Sequence, residues 1–483
     1  MEHLVFLTGR LAQPSLERVL AGIAPPLFTW EVREIGLQVA ALMTAEMIRR
    51  RVPLPLAADR MIVPGRCRGD VEALSAHYGR PVQRGPDELK DLPGFFDRAA
   101  HPVDLSQRSM LLFAEIVDAP RLTVAEIVAR ARAHAADGAD VIDLGGLPDT
   151  RFDHLEDSVQ ALKAEGFAVS VDSVAADELL RGGRAGADYL LSLAPHHLWI
   201  ADEVAATPVL IPREPADEAS LAASIETLQR AGRDFLADAI LDPIPFGFAA
   251  SIGRYQRLRE RFPDVRILMG TGNLTELVEA DTSGITAILF GIAAELGVAA
   301  VLTTQVSGHA RRALREADWA RRIMHAAQRD QVLPKGLSDA LMTVHDKRPF
   351  PDTPAEIAAT AAAVTDPNFR VQVSAEGMHV YNRDGMRTGV DPFALWPQLG
   401  LAGDAGHAFY MGVELARAQI AWQLGKRHVQ DRPLAWGCAV DAPAEDLSRH
   451  GPAGPTRAQR APAVDAAVDN RGEGGAPDAD VAQ

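Results

Sequence analysis

The sequence is short of cysteine, of long apolar runs and of net positive charge. Its 483 residues contain two cysteines, Cys67 and Cys438, far apart and at no metal-ligand spacing. That excludes a disulfide framework and fits a reducing cytoplasm. No stretch approaches the roughly 20 apolar residues that span a bilayer. The longest run, 285–302, is broken by Gly291, Glu295 and Gly297. The opening MEHLVFLTGRL has no basic start and no long apolar core, so no signal peptide is expected. Lys and Arg number 49 against 65 Asp and Glu, a net charge of −16. Nucleic acid and anionic membrane are therefore poor partners, although a local basic patch can still take a small anion. Nothing here speaks against a homodimer.

What is present is ordinary globular composition, 47% hydrophobic and 24% charged. The length argues for more than one domain. Residues 1–100 alternate strand and helix signals, with strands at 4–7, 27–32, 61–63 and 81–83 and helices at 14–21 and 39–50. That pattern predicts a small α/β domain of Rossmann or flavodoxin type. The tripeptides Thr8-Gly9-Arg10 and Pro64-Gly65-Arg66 fit an anion loop or, more simply, tight turns.

After a polar hinge at 101–109 the alternation becomes regular. Strands are expected at 110–117, 139–144, 168–172, 188–193, 208–211, 238–241, 265–269 and 298–303, each followed by helical spacing. Thr123 can cap the first of these helices, and the last covers 310–329. Eight strand–helix units over 108–332 predict a (β/α)8 TIM barrel. A C-terminal α+β region is expected at 335–440, with a hairpin at 372–381 turning at Asn382-Arg383-Asp384-Gly385. A helix at 407–423, periodic in Phe409, Val413, Ala416 and Ile420, is expected to pack against another domain. The Ala-, Gly-, Pro- and Asp-rich tail, 442–483, is expected to be disordered.

In such a barrel the strand ends meet at one mouth. Here they are Glu115, Asp143, Asp172, Ser192, Arg213, Asp242, Asn273 and Thr304. Carboxylates accept paired N–H donors, and an asparagine both donates and accepts, so the set suits a flat amino-pyrimidinone ring. A single Asp at a strand end often only caps the next helix. Asp172, Asp242 and Asn273 on one rim are harder to explain that way. Farther on, His407, Tyr410 and Glu414 share a helix face. With Asp404 and Asp431 they read as a packed, hydrogen-bonded interface rather than a metal site. The run His345-Asp346-Lys347-Arg348 reads as a charged loop.

The segments DGADVIDLGG, VSVDS and ILDPIPFGF, in that order, resemble the second, third and sixth strands of the dihydropteroate synthases. The resemblance covers roughly residues 110–330. It implies that Asp172 and Asp242 hold a pterin ring, with Ser192 in a place where that family has Asn. Asp143 falls in the second-strand motif and would act through the loop it anchors. The family's first-strand Asn loop, seventh-strand lysine and eighth-strand Arg–His pair are missing here. Gly270-Thr271-Gly272-Asn273 resembles instead the Asn loop of pterin-dependent methyltransferases. The whole layout, LTGRLA at the start and DAGHAFYMGVELARAQIAWQLGKRHVQDRPL near the end, is similar to dihydropteroate synthase-related proteins of archaea and methylotrophic bacteria.

That last resemblance implies a transferase of tetrahydromethanopterin biosynthesis and one-carbon metabolism. It would join a dihydropterin-6-methyl diphosphate to an arylamine, a ribofuranosyl-aminobenzene phosphate. Mg²⁺ would serve the diphosphate; no tightly bound cofactor and no protein-held metal is implied. Arg213, His309 and Arg311, with Arg312 beside them, are candidate phosphate ligands, although Arg311 and Arg312 also read as a solvated first turn. Two alternatives stay open, a methyltransferase working with a corrinoid protein and a non-catalytic pterin-binding subunit.

Overall fold

The computed structural model describes residues 1–23, 28–87, 89–100, 103–147 and 150–441. The tail expected from 442 onward lies outside the described residues. The chain forms two compact units, Met1–Leu341 and Met342–Gln483.

The first unit opens with β1 (His3–Thr8), β2 (Thr29–Glu34), β3 (Arg60–Val63) and β4 (Val82–Arg84). They form a parallel sheet in the order β2-β1-β3-β4. Alternate residues of β1 and β3 point to opposite faces: Val5, Leu7, Met61 and Val63 into one core, Leu4, Phe6 and Ile62 into the other. The helix expected at 39–50 is split into a turn, Ala40–Leu42, and a helix, Ala45–Arg51. Thr44 is extended and its hydroxyl accepts from the Met47 N–H, so it starts a new helix. A Cβ on Gly9 would lie 2.6 Å from the Ala40 nitrogen. This glycine lets residues 38–40 close over the end of β1, which is the simpler of the two readings of Thr8-Gly9-Arg10.

The barrel follows as β5 (Leu111–Ile116), β6 (Val141–Gly145), β7 (Ala168–Asp172), β8 (Tyr189–Leu193), β9 (Thr207–Leu210), β10 (Leu236–Ala237), β11 (Leu268–Gly270) and β12 (Ala300–Thr303). These eight pair in parallel in sequence order, and β12 pairs back onto β5. A bridge between Ala237 and Ile267 closes the remaining gap. Phe113, Val141, Leu191, Val209, Leu236, Leu268 and Ala300 fill the interior. The outward residues pack on the surrounding helices. Side chains alternate along a strand. The next inward positions are therefore Glu115 after Phe113, Asp143 after Val141 and Asp238 after Leu236. The polar mouth is the layer directly above the apolar fill. The strand expected at 238–241 ends instead at Ala237, because Asp238 accepts a hydrogen bond from the Ile240 N–H and turns the chain.

Arg321, fully buried in the helix Ala313–Arg329, ties the opposite face together. It donates to the carbonyls of Met110 at 2.8 Å and Gly138 at 2.7 Å and to Asp318 and Asp140. Asp140 in turn accepts the Leu112 N–H at 2.9 Å. One side chain thus joins the last helix to the starts of β5 and β6, where the barrel closes. No helix among the described residues is long and apolar enough to cross a membrane.

The second unit has an antiparallel sheet of β13 (Arg370–Ser374), β14 (Gly377–Asn382) and β15 (Gly385–Gly389). The stretch expected as one arm of a hairpin breaks at Ala375-Glu376, giving three strands rather than two. The helix Ala405–Leu424 packs on this sheet through Met411, Leu415 and Ala418. The periodic face expected to be buried is not: Phe409 is 77% and Ile420 38% exposed. Apolar residues occur on both sides of this helix, so spacing alone could not choose between them.

Replacing Arg321 with Met takes a buried cation from two partly buried carboxylates, Asp140 and Asp318, which keep Arg108 and Arg322, and leaves the Met110 and Gly138 carbonyls without its N–H donors. The expected loss is about 3–5 kcal/mol of unfolding free energy, read by urea denaturation near neutral pH. A loss below about 1 kcal/mol would show that the clasp is incidental.

Candidate functional site

The carboxyl ends of β5, β6 and β7 bring Glu115, Asp143 and Asp172 together. Their carboxylate oxygens lie within 4.8 Å of one another. Asp143 is fully buried. Its Oδ1 accepts the Ser170 hydroxyl, and its Oδ2 has no partner among the described residues. Ser192 has a left-handed backbone, φ 59°, at the point where the β8–β9 register shifts. The bulge brings its hydroxyl to Asp172.

After β10 the chain makes an unusual turn at the mouth. Ile240 is β-branched yet has φ 62°, a conformation that costs about 1–3 kcal/mol and needs surrounding support. Its N–H donates to Asp238 Oδ1 at 2.7 Å, and the Tyr255 hydroxyl donates to the same oxygen. The Arg254 guanidinium donates to the carbonyls of Ala239 at 3.2 Å and Ile240 at 2.6 Å, and to Asp242 Oδ2 at 2.9 Å. Gly247, at φ 128°, lies so close that a Cβ there would be 2.7 Å from Asp242 Oδ2. Asn273 starts no long helix; its Nδ2 donates to the Leu241 carbonyl at 2.6 Å and links the loops after β10 and β11.

Crowding sets the protonation of these acids. Burial, then the charges of Asp172 and Glu276, push Glu115 up to about 7. Asp143 is raised well above the usual carboxylate range by burial and by Asp172 and Glu115. Burial also raises Asp172, against the Ser192 hydrogen bond. Burial raises Asp238 to about 6, although Tyr255 and the Ile240 N–H stabilise its anion. Like carboxyls this close cannot all ionise without a counter-charge.

The basic candidates stand apart from this cluster. Arg213 is 68% exposed and lies 3.6 Å from Asp217. His309 Nε2 is 3.1 Å from the Thr275 carbonyl, and its charge helps hold Glu276 down. Arg311 is exposed. Thr304 is buried at the end of β12 with no partner on its hydroxyl among the described residues. The mouth also carries exposed apolar side chains on separate loops, Val174, Ile244, Phe246, Leu277 and Val306.

The C-terminal candidates are spent on one another. His407 Nδ1 is 2.9 Å from its capping residue Asp404, and Tyr410 donates to Asp431 at 2.7 Å. Buried Glu414 is 3.0 Å from Arg417 Nη1 and 3.2 Å from His428 Nε2. His345 Nδ1 is 2.6 Å from the Leu424 carbonyl, and Asp346 accepts the Arg427 N–H at 2.7 Å. The charged loop of 345–348 therefore packs on the helix end.

Sequence reasoning had Glu115 on the rim without a role, and missed Asp238, Arg254 and Tyr255. Glu115 and Asp238 carried a signal, an acid two residues after an inward apolar residue. Arg254 and Tyr255 lie mid-helix, and nothing in their spacing marks them.

Residues 2–87 match a family of unknown function (DUF6513). An uncharacterized protein of Methanocaldococcus jannaschii is 28% identical over 366 residues, 67% of this chain and 69% of that protein. Among solved structures, the Yersinia pestis dihydropteroate synthase with a pterine-sulfa conjugate is 19% identical, TM-score 0.36, over 47% of this chain and 95% of its own. The Xanthomonas albilineans dihydropteroate synthase in complex with 7,8-dihydropteroate is 20% identical, TM-score 0.36, over 49% and 98%. The Burkholderia cenocepacia enzyme with the same ligand is 17% identical, TM-score 0.38, over 46% and 92%.

A carboxyl whose folded pKa lies above its unfolded value binds extra protons in the folded state, so it destabilises the fold as pH rises between the two values. For Glu115 that window is about 4.5 to 7. Glu115→Gln should stabilise the protein at pH 8 by on the order of 2 kcal/mol and change little at pH 4. Equal effects at both pH values, in urea titrations, would contradict the crowding.

Proposed function

We propose that the barrel is a pterin-binding transferase, joining a dihydropterin-6-methyl diphosphate to an arylamine. The observation that carries this reading is the convergence of buried carboxyls at one mouth, on the strands whose motifs resemble the dihydropteroate synthases. An amino-pyrimidinone edge offers adjacent N–H donors, and a carboxylate accepts them as a pair. Asp172, with Ser192 beside it, and Asp242 are the acceptors. Asp143 supports Asp172 from below, and Asn273 adds a polar group across the loops. The arylamine nitrogen would form a bond to the exocyclic carbon as the bond from that carbon to the diphosphate oxygen breaks. The apolar side chains around the mouth, Phe246 and Leu277 among them, suit an aromatic second substrate. A ribofuranosyl-aminobenzene phosphate, and with it tetrahydromethanopterin biosynthesis, is the finer assignment. It rests on the three-segment resemblance and on the missing aminobenzoate-site motifs.

The diphosphate needs positive charge. Arg213, His309 and Arg311 are the candidates on the loops after β9 and β12. Glu115, Asp143 and Asp172 also fit a divalent cation: they offer three hard oxygens within 4.8 Å, and Asp143 Oδ2 has no other described partner. When bound, Mg²⁺ would supply charge for the diphosphate. Asp172 belongs to both sets.

A second reading is favoured by one observation. Gly270-Thr271-Gly272-Asn273, which resembles the Asn loop of pterin-dependent methyltransferases, follows β11, and the Asn273 amide donates to the Leu241 carbonyl in the loop after β10. In that reading the mouth moves a methyl group between a reduced pterin and a corrinoid protein.

Calorimetry with 6-hydroxymethyl-7,8-dihydropterin diphosphate tests the ring site. Asp172→Asn and Asp242→Asn should each weaken binding about 10–100-fold, the worth of a hydrogen bond to a charged group. Unchanged affinity in both would remove the pterin assignment. Turnover with an arylamine separates the synthase from the methyltransferase and from a non-catalytic binding subunit. A disruption strain that keeps tetrahydromethanopterin would reject the pathway.

A further inference from the structure

We propose that Arg254 and Tyr255 are positioning residues that fix Asp242 for the ligand, acting through the left-handed turn at Ile240. This rests on the pterin reading of the mouth. The two side chains are neighbours on the helix Phe248–Arg261, and each grips the turn from a different side. Arg254 holds the carbonyls of Ala239 and Ile240 and also reaches Asp242 Oδ2. Tyr255 holds Asp238, whose carboxylate holds the Ile240 N–H. Asp238 and Asp242 bracket the turn, so any rotation of the turn swings both acids.

Arg254 and Tyr255 are themselves buried, 6% and 0% exposed, and among the described residues their side-chain hydrogen bonds all go to the turn or to its two acids. Their reach ends at the acids. With Oδ2 occupied by Arg254 and crowded by Gly247, Asp242 keeps one free oxygen; among the described residues no hydrogen bond engages its Oδ1. The guanidinium fork matters as a shape, because Nε and Nη2 of one planar group serve three acceptors at once. A lysine keeps the charge but not that geometry.

A site fixed in this way binds better because the acceptor need not be ordered on arrival. The link between Arg254 and Asp242 is also local. Removing the guanidinium matters to binding only while Asp242 is there to be positioned.

The test is a double-mutant cycle on the full chain, with 6-hydroxymethyl-7,8-dihydropterin as the probe and fluorescence quenching as the readout. Thermal melting of each variant checks that it is folded. Arg254→Lys should weaken binding about tenfold, and Arg254→Met should weaken it further. Tyr255→Phe, which keeps the ring and loses only the hydroxyl, should weaken binding severalfold. In an Asp242→Asn background Arg254→Lys should add less than a twofold loss, because the positioned group is already gone. Fully additive losses, or wild-type affinity in Arg254→Lys, would overturn the positioning role while leaving the pterin site standing. A wild-type protein that does not bind the probe would overturn the pterin reading itself, and the positioning role with it.

Discussion

Glu115, Asp143, Asp172 and Asp238 share the top of one barrel, and among the described residues the positive charge of Arg254 faces Asp238 and Asp242. Glu115, Asp143 and Asp172 crowd together, and Asp238 feels Asp172. Buried like charges repel, and water is too scarce there to screen them. The protein therefore holds protons in this mouth at a pH where free carboxyls are ionised. Such a pocket is costly to fold and is relieved by anything that brings donors or charge. An amino-pyrimidinone ring brings donors, and a divalent cation brings charge. The proposal that the site takes a pterin, with Mg²⁺ for its diphosphate, follows from that imbalance more than from any single residue.

The rest of the first unit serves to keep those acids in place. The Arg321 clasp closes the far face, where β5 and β6 begin, and so sets where Glu115 and Asp143 end. Phe113, Val141 and Leu236 fill the interior, and the alternation of the strands lifts Glu115, Asp143 and Asp238 into the layer above. Of the four non-glycine residues with left-handed backbone among the described residues, Ser192 and Ile240 lie beside an acid of the mouth. Strain of this kind persists only where neighbours over-determine it. Here the neighbours are Asp172, Asp238 and Arg254.

Much of this was legible in the sequence. The strand–helix alternation gave the eight strands and their order, because parallel strands buried on both faces read as short apolar runs. The small N-terminal parallel sheet was legible for the same reason. The N-cap at Thr123 was visible as well, though not the return bond from Glu126 that completes it. The end of β10 was not, since 238–241 is apolar enough to read as strand while Asp238 bends it. The role of Arg254 was hidden because it depends on a turn twelve to fifteen residues earlier, a contact that no local pattern encodes. On the C-terminal helix, apolar residues on two faces left the packing direction undecided, and the face led by Phe409 proved to be the exposed one.

The most direct measurement is a crystal structure with 6-hydroxymethyl-7,8-dihydropterin at saturating concentration. The account predicts the ring inside the mouth, its N–H edge about 2.7–3.0 Å from the carboxylates of Asp172 and Asp242. A ring bound elsewhere on the chain, or a mouth without it at that concentration, would contradict the account.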